Sequence, residues 1–320
     1  MMNYKISIII PIYNVEEYIE ECLNSIFLQL HDFVEIIVIN DGTPDNSVAI
    51  IKSKFHEWLE KDQVVLINQE NLGPGAARNT GVAVARGQYL GFLDSDDVLL
   101  PNFFKEVIKS IDEKKTDIIE FGYTRFSSID DIGSKTFCPL LPFEGQYNLA
   151  KIRNDIFAVG AWFPWIRVYK SEIFNKHKFP VNLFYEDLLT IPFIFLMDLK
   201  IDFIKQPLVG YRFNPNSTTA LHDKSHALTM SDFYYSLDKA EESIAIQILK
   251  IKTARSIAYF YNELSDADIP ILEVLRNINK IPKKLELLIH LKLPDLVFFL
   301  TPKLYMVLDK IRLRKRDSLQ

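Results

Sequence analysis

Asp94, Asp96 and Asp97 put three carboxylates into four residues, directly after the apolar run Tyr89-Leu90-Gly91-Phe92-Leu93. Carboxylates this close repel one another and are costly to hold together unless a cation or a set of donors sits among them. Hard divalent ions take oxygen ligands, and Mg2+ is typically held by one or two carboxylates together with substrate phosphates. The cluster therefore predicts a metal and phosphate site, with Mg2+ or Mn2+ as the ion; an acidic turn capping a helix that begins near Pro101 is the structural alternative. A second acidic pair lies inside Phe184-Tyr185-Glu186-Asp187-Leu188-Leu189. A carboxylate among apolar neighbours has its pKa raised towards neutrality, which suits a general base for a hydroxyl proton, and a helix-start cap is again the alternative. Between the two acidic clusters and the N-terminus, Gly73 and Gly75 in Asn71-Leu72-Gly73-Pro74-Gly75 permit close backbone approach. The helix expected from Ala76 points amide N–H groups forward, and Arg78 adds a cation with bidentate reach to phosphate. That combination makes an anion site or a structural helix-start loop. It is not a dinucleotide fingerprint, which belongs in the first strand-to-helix turn, where this chain has Pro11-Ile12-Tyr13-Asn14 without glycine.

The elements that must position these groups alternate two periods. Ile6–Ile12, Val34–Ile39, Val64–Ile67 and Gln88–Leu93 are short continuous apolar runs of the kind that buried parallel strands show. Val15, Tyr18, Ile19, Cys22, Leu23, Ile26 and Phe27 recur at helical spacing, with Asn14 and Glu17 placed as an N-cap pair, and a second helical pattern runs from Ser47 to Leu59. Strands separated by helices imply right-handed crossovers and a mainly parallel sheet with helices on both faces. Ligands of such sheets bind beyond the carboxyl ends of the strands, and Tyr13-Asn14, Asn40-Asp41-Gly42 and Asp94 to Asp97 all fall there. This convergence favours the functional reading of the acidic cluster.

Composition bounds the rest. The 320 residues are 48% hydrophobic and 25% charged, a globular composition long enough for one large domain with an appendage or for two smaller ones. A net charge of -5 speaks against a general nucleic-acid binder. Two cysteines, Cys22 and Cys138, give no disulfide framework and suit a reducing compartment. Neither a cleavable leader nor an apolar run of roughly 18 residues is visible, so a cytoplasmic protein is expected.

Four segments, PIYNVEEYIEECLNSI, IIVINDGTPDNS, ENLGPGAARNTG and GQYLGFLDSDD, resemble in order and spacing the inverting family 2 glycosyltransferases of the GT-A fold. The likeness covers about residues 4 to 125. It implies a GT-A type, Rossmann-like α/β fold and a nucleotide-sugar donor, with UDP expected because it is the commonest nucleotide in similar proteins. By the same resemblance Pro11, Tyr13 and Asp41 hold the nucleotide base, and Arg78 lies near the nucleotide sugar and diphosphate. Asp94 and Asp96 form the DxD motif, Asp94 facing the ribose and Asp96 binding a divalent metal that bridges the diphosphate. The later acidic pair is similar to the one whose aspartate is commonly the family's catalytic base, which selects Asp187 with Glu186 in reserve. The implied reaction is a single displacement with inversion, onto a saccharide acceptor that is often lipid-linked in relatives building bacterial surface polysaccharides. A nucleotidyltransferase is a rival, but it should carry a glycine-rich loop in the first turn. A non-catalytic, membrane-associated assembly protein of the same fold is the other.

The second half is less diagnostic. The expected organisation is a catalytic domain over 1–230, its nucleotide half to about 126 and its acceptor half over 127–230, followed by a helical region, 231–320. Ser127 to Gly133 reads as a polar connection, and a helix is expected between Phe143 and Ala161. Trp162 and Trp165 are acceptor-site candidates or core. Arg212 either closes over the diphosphate or makes a structural ion pair. His177, His222 and His226 lack zinc-type spacing and read as surface or loop residues, with His222 a minor candidate for an extra metal ligand. At the C-terminus, Leu304, Val307, Leu308 and Ile311 share a helical face amid Lys303, Lys310, Arg312, Arg314, Lys315 and Arg316. Such a tail lies on anionic lipid at the inner face of the plasma membrane or packs as a solvated terminal helix.

Overall fold

The structure is a computed structural model that describes residues 4–128, 135–137, 141–214, 223–266 and 268–317. Cys138, His222, the end of the Ser127–Gly133 connection and the loop after Asn214 lie outside the described residues, as do the side chains of Arg314, Lys315 and Arg316.

In chain order the first elements are β1 (Ile6–Ile12), α1 (Ile19–Phe27), β2 (Val34–Asp41), α2 (Ser47–Lys54), α3 (His56–Leu59), β3 (Val64–Gln69), α4 (Gly73–Val84) and β4 (Tyr89–Phe92). There follow β5 (Val98–Leu99), α5 (Phe103–Lys114), β6 (Ile118–Phe126), β7 (Lys135–Phe137), β8 (Gly145–Asn148), α6 (Leu149–Val159), β9 (Arg167–Lys170), α7 (Ile191–Ile194) and β10 (Lys200–Arg212). All ten strands join one sheet, whose main path is β3-β2-β1-β4-β9-β6-β10-β5, with β7 against β6 and β8 against β10. The long ladders, β3-β2-β1-β4 and β6-β10, are parallel, while the short strands β5, β7, β8 and β9 pair antiparallel. The four apolar runs are therefore the four strands of the parallel half; β1, β2 and β4 are buried, while β3 at the sheet edge is only partly so.

One expectation fails locally. Asn14 and Glu17 do not cap α1, which starts at Ile19 behind Tyr18. Asn14 adopts φ +53°, and its backbone N–H donates to Thr43 Oγ1 at 2.8 Å. The first turn is tied to the loop after β2 instead, which keeps two strand ends together.

The chain divides into two compact units, Met1–Lys151 with Trp162–Pro215, and Ile152–Ala161 with Asn216–Gln320. The first contains the sheet. In the second, α8 (Lys224–Ser236), α10 (Ile271–Lys280), α11 (Leu285–Leu288), α12 (Leu293–Leu300) and α13 (Pro302–Asp317) pack around α9 (Ile244–Leu264), which is buried along most of its length. The boundary expected at 230 falls inside α8, because the Asp223 side chain caps that helix and starts it earlier than its apolar pattern suggests. His226 completes this capping box and is buried, not a surface residue.

Gly81 shows how closely α4 lies on the sheet. A Cβ there would sit 2.4 Å from Ile9 Cγ2 in the buried centre of β1. Gly81→Ala gains about 1 kcal/mol of helix propensity but overpacks a β-branched neighbour at a cost of roughly 1–3 kcal/mol or more. The expected outcome is a net loss of stability, measured as a lower urea midpoint with unchanged slope; an unchanged or raised midpoint would show that the helix can move off β1.

Candidate functional site

The register that sets Ile12 beside Asn40 brings the end of β1 level with the end of β2. Tyr13, immediately after β1, leaves its ring 44% exposed at this edge, next to Pro11. Asp41, the last residue of β2, is buried, and its Oδ1 accepts from Gln69 Nε2 at 2.7 Å and from the Leu72 N–H at 3.0 Å. The carboxylate thus anchors the loop entering α4. Gly42 turns the chain away with φ +66°, and a Cβ there would stand 2.9 Å from the Asn71 nitrogen.

Arg78, on the first turns of α4, is only 4% exposed. One terminal nitrogen donates to Asp94 Oδ1 at 2.8 Å and the other to Glu186 Oε1, while the guanidinium lies 5.6 Å from the Phe179 ring centroid. Burial works against its charge, but the two carboxylates outweigh burial and push its pKa up. Its buried Nε has no hydrogen-bond partner among the described residues. Three of the residues singled out from the sequence, Arg78, Asp94 and Glu186, are therefore in direct contact. Pro11, Tyr13 and Asp41 stand on the neighbouring strand ends and make no such contact with them.

The acidic pair is carried by the segment between β9 and α7, which α4 holds at two points. Asn79 donates from Nδ2 to the Phe179 carbonyl at 2.7 Å and accepts the Phe179 N–H at 3.0 Å. A Cβ on Gly75 would meet the Pro180 carbonyl at 2.2 Å, so that glycine is required by the approach of this segment. Tyr185 adopts φ +61°, a left-handed conformation uncommon for an aromatic residue, directly before the pair. Asp187 is half-buried, and its Oδ1 accepts the Leu188 N–H at 2.7 Å while its carbonyl accepts the Ile191 N–H at 2.8 Å. The cap and the acid are thus one residue. Burial first, and the Glu186 carboxylate second, push the Asp187 pKa up to about 7.

On the other side, the turn after β4 is closed by the Asp97 N–H donating to the Asp94 carbonyl at 3.0 Å. Burial and the charge of Asp94 raise the Asp96 carboxyl, whose Oδ2 receives Asn214 Nδ2 at 3.2 Å. Asp97 is fully buried, and burial with Asp96 and Asp94 beside it drives its pKa well up. Arg212 ties this turn to α1: its Nε donates to the Asp96 carbonyl at 2.8 Å, its backbone N–H to Asp97 Oδ1 at 2.8 Å, and a terminal nitrogen to Glu21. It lies 4.4 Å from the Phe126 ring centroid and 4.9 Å from that of Tyr18. The ion-pair reading of Arg212 is the one the geometry bears out. Trp162 and Trp165 are buried; Trp165 stacks on Tyr211 at 5.0 Å, and the exposed ring of that segment is Phe163. Asn79, Glu21 and Asn214 escaped the sequence reading because their partners lie far along the chain.

The family model described as glycosyl transferase family 2 matches residues 7–175, just over half of the chain. The chain is 32% identical over 241 residues to the glycosyltransferase GlyA of Streptococcus pneumoniae, covering 71% of this chain and 34% of that protein. It is 33% identical over 232 residues to the glycosyltransferase EpsJ of Bacillus subtilis, covering 68% of this chain and 63% of that one. It thus spans about a third of the one relative and under two thirds of the other. In fold, TarS of S. aureus, solved in complex with UDP-GlcNAc, aligns over 99% of this chain and 92% of its own with a TM-score of 0.67 at 18% identity. The mannosyltransferase PcManGT of Pyrobaculum calidifontis, solved with GDP-Man and Mn2+, aligns over 97% and 86% with a TM-score of 0.52 at 14% identity. The strand-end clusters, the buried arginine and the acidic pair thus sit on a GT-A sheet, and the chain belongs to glycosyl transferase family 2.

Proposed function

We propose that the chain transfers a sugar from a nucleotide-sugar, a UDP-sugar, to a hydroxyl of a lipid-linked saccharide, in the synthesis of a bacterial surface polysaccharide at the cytoplasmic face of the membrane. The observation that carries this reading is the Arg78 bridge, which joins the strand-end aspartate Asp94 to Glu186, the neighbour of the one carboxyl raised to about 7. The UDP-GlcNAc complex of TarS supports UDP, and the Mn2+ of the mannosyltransferase supports a divalent ion.

The residues present fit such an ion. Asp94 and Asp96 offer hard oxygens from one turn; burial first and the Asp94 charge second raise Asp96, and a cation between them offsets both. Mg2+ bound in this way is typically completed by substrate phosphates and water. Asp94 and Asp96 would hold Mn2+ or Mg2+, which when bound supplies Lewis-acid stabilisation of the leaving diphosphate.

The chain's own residues do the rest. Pro11, Tyr13 and Asp41 frame the nucleotide base at the ends of β1 and β2. Asp187 accepts the proton of the acceptor hydroxyl, whose oxygen attacks the anomeric carbon as the bond to the diphosphate breaks on the opposite side, inverting the centre. Arg78 offers its positive charge to the diphosphate oxygens through the low-dielectric surroundings of the site. Glu186, engaged by Arg78, serves as the anchor of that cation and not as a second base.

Two measurements test this. Calorimetric titration of UDP, GDP and dTDP with and without Mn2+ is expected to show Mn2+-dependent binding of UDP that is lost in Asp96→Asn. Absence of binding by any of the three to the folded protein would sink the donor-site assignment and favour a non-catalytic assembly role. For the base, Asp187→Asn is expected to lower turnover by roughly 100- to 10,000-fold, and wild-type kcat should rise through about pH 7 to a plateau, since the ionised form is the base. The raised pKa also means that the folded chain binds this proton more tightly than the unfolded one, so the carboxylate destabilises the fold above about pH 7 and that effect fades towards pH 4. Asp187→Asn should accordingly raise the melting temperature at pH 8 and leave it nearly unchanged at pH 4; full activity in this variant would remove Asp187 from the mechanism.

A further inference from the structure

The helix α13 buries Leu313 but leaves most of its apolar stripe outside. The positions it turns inward include Asp309, which is buried and accepts from Asn262 Nδ2 of α9 at 3.3 Å. Leu304, Val307, Leu308 and Ile311, spaced along one face, are between 48% and 56% exposed. A helix of a water-soluble domain normally buries its apolar stripe, so an outward stripe calls for an occupant. The preceding helices bury Leu287, Phe298 and Phe299 and still leave apolar residues outside. Leu285, Ile289 and Leu293 are each more than two thirds exposed, whereas Asp295 is buried and paired with Lys252 and Arg255 of α9.

Charge selects among the occupants. From Lys280 to Arg316 the sequence holds ten lysines and arginines against three acidic residues, within a chain of net charge -5. Two of those three acids, Asp295 and Asp309, are the ones turned inward. Their removal from the surface leaves Lys284, Lys292, Lys303 and Lys310 exposed among the same helices as the exposed leucines, against Glu286 and an Asp155 that is paired with His290. A second copy docked face to face would set like charges against each other. An anionic bilayer offers both an apolar phase for the leucines and negative headgroups for the lysines. No described helix is long and apolar enough to cross a membrane, so the contact is interfacial. We infer that α11 to α13 form a lipid-docking surface that seats the protein on an anionic membrane. This goes beyond the donor-site reading and gives the proposed membrane-side reaction a physical anchor.

Sedimentation of the full chain with vesicles tests it. The protein is expected to bind phosphatidylcholine vesicles containing about a third phosphatidylglycerol, and to bind pure phosphatidylcholine far more weakly, since each basic residue near an anionic surface contributes roughly fivefold. Leu304→Ser with Leu308→Ser should weaken binding roughly tenfold or more, and Lys303→Glu with Lys310→Glu should remove the preference for the anionic lipid. Both changes are at exposed positions, and a retained circular dichroism melt together with retained UDP binding separates their effect from misfolding and from failure of the donor site. Equal binding of wild type and variants, or none to anionic vesicles, would overturn the proposal. So would a dimer that the leucine variant dissolves, which would assign the face to a second copy.

Discussion

A guanidinium with almost no access to water must be surrounded by negative charge or leave the fold, and Arg78 satisfies this with two carboxylates that arrive from 16 and 108 residues further along the chain. Much of the sheet-bearing unit can be read as the means of delivering them. β4 lies directly beside β1, so the turn bearing Asp94 emerges next to the start of the first loop. The segment bearing Glu186 is pressed onto α4 by the Asn79 clamp and by the missing side chain of Gly75. Lysine could not do the same work, because a single ammonium lacks the planar fork that reaches two separated carboxylates at once.

The same logic of paired burial recurs away from the site. Glu120 in β6 and Arg167 in β9 are both buried and joined at 2.7 Å across the antiparallel junction of the sheet. Arg212 holds α1, the aspartate turn and β10 together through Glu21, Asp96 and Asp97. These pairs add specificity of register more than net stability, since desolvation consumes most of what each attraction supplies. They fix where the strand ends stop, and so where the aspartates point.

That is also why the sequence was legible in one half and opaque in the other. β1 to β4 of the parallel half are apolar on both faces and announce themselves as continuous runs. β6 carries Glu120 and Arg125, and β10 carries Asp202, Lys205 and Gln206 with register shifts around Pro207, so neither shows a clean period. Arg125, Lys205 and Gln206 are exposed, whereas the buried Glu120 and Asp202 are matched by partners that the local pattern cannot name: Asp202 meets Lys114 and Ser110 from α5. At the site, Asp94, Asp96, Arg78, Glu186 and Asp187 were visible because clustered charge beside apolar runs is costly without a reason. Asn79, Glu21 and Asn214 were not, because an amide or a helical glutamate looks alike whether it faces water or clamps a distant backbone. The cap expected at Asn14 failed for a related reason, since its left-handed backbone follows from a bond to Thr43 in another loop.

Arg78 finally connects the Asp94 turn and the acidic pair electrostatically. Burial and Glu186 raise the Asp187 carboxyl, while Arg78 lowers it. Any displacement of the guanidinium towards an anion at the strand ends weakens its hold on Glu186, and leaves the Glu186 charge less compensated as seen from Asp187. Both changes move Asp187 in the same direction, towards a tighter grip on a proton. One cation shared between two carboxylates thus couples the Asp94 turn to the acidic pair, so that a change of charge on one side is felt on the other.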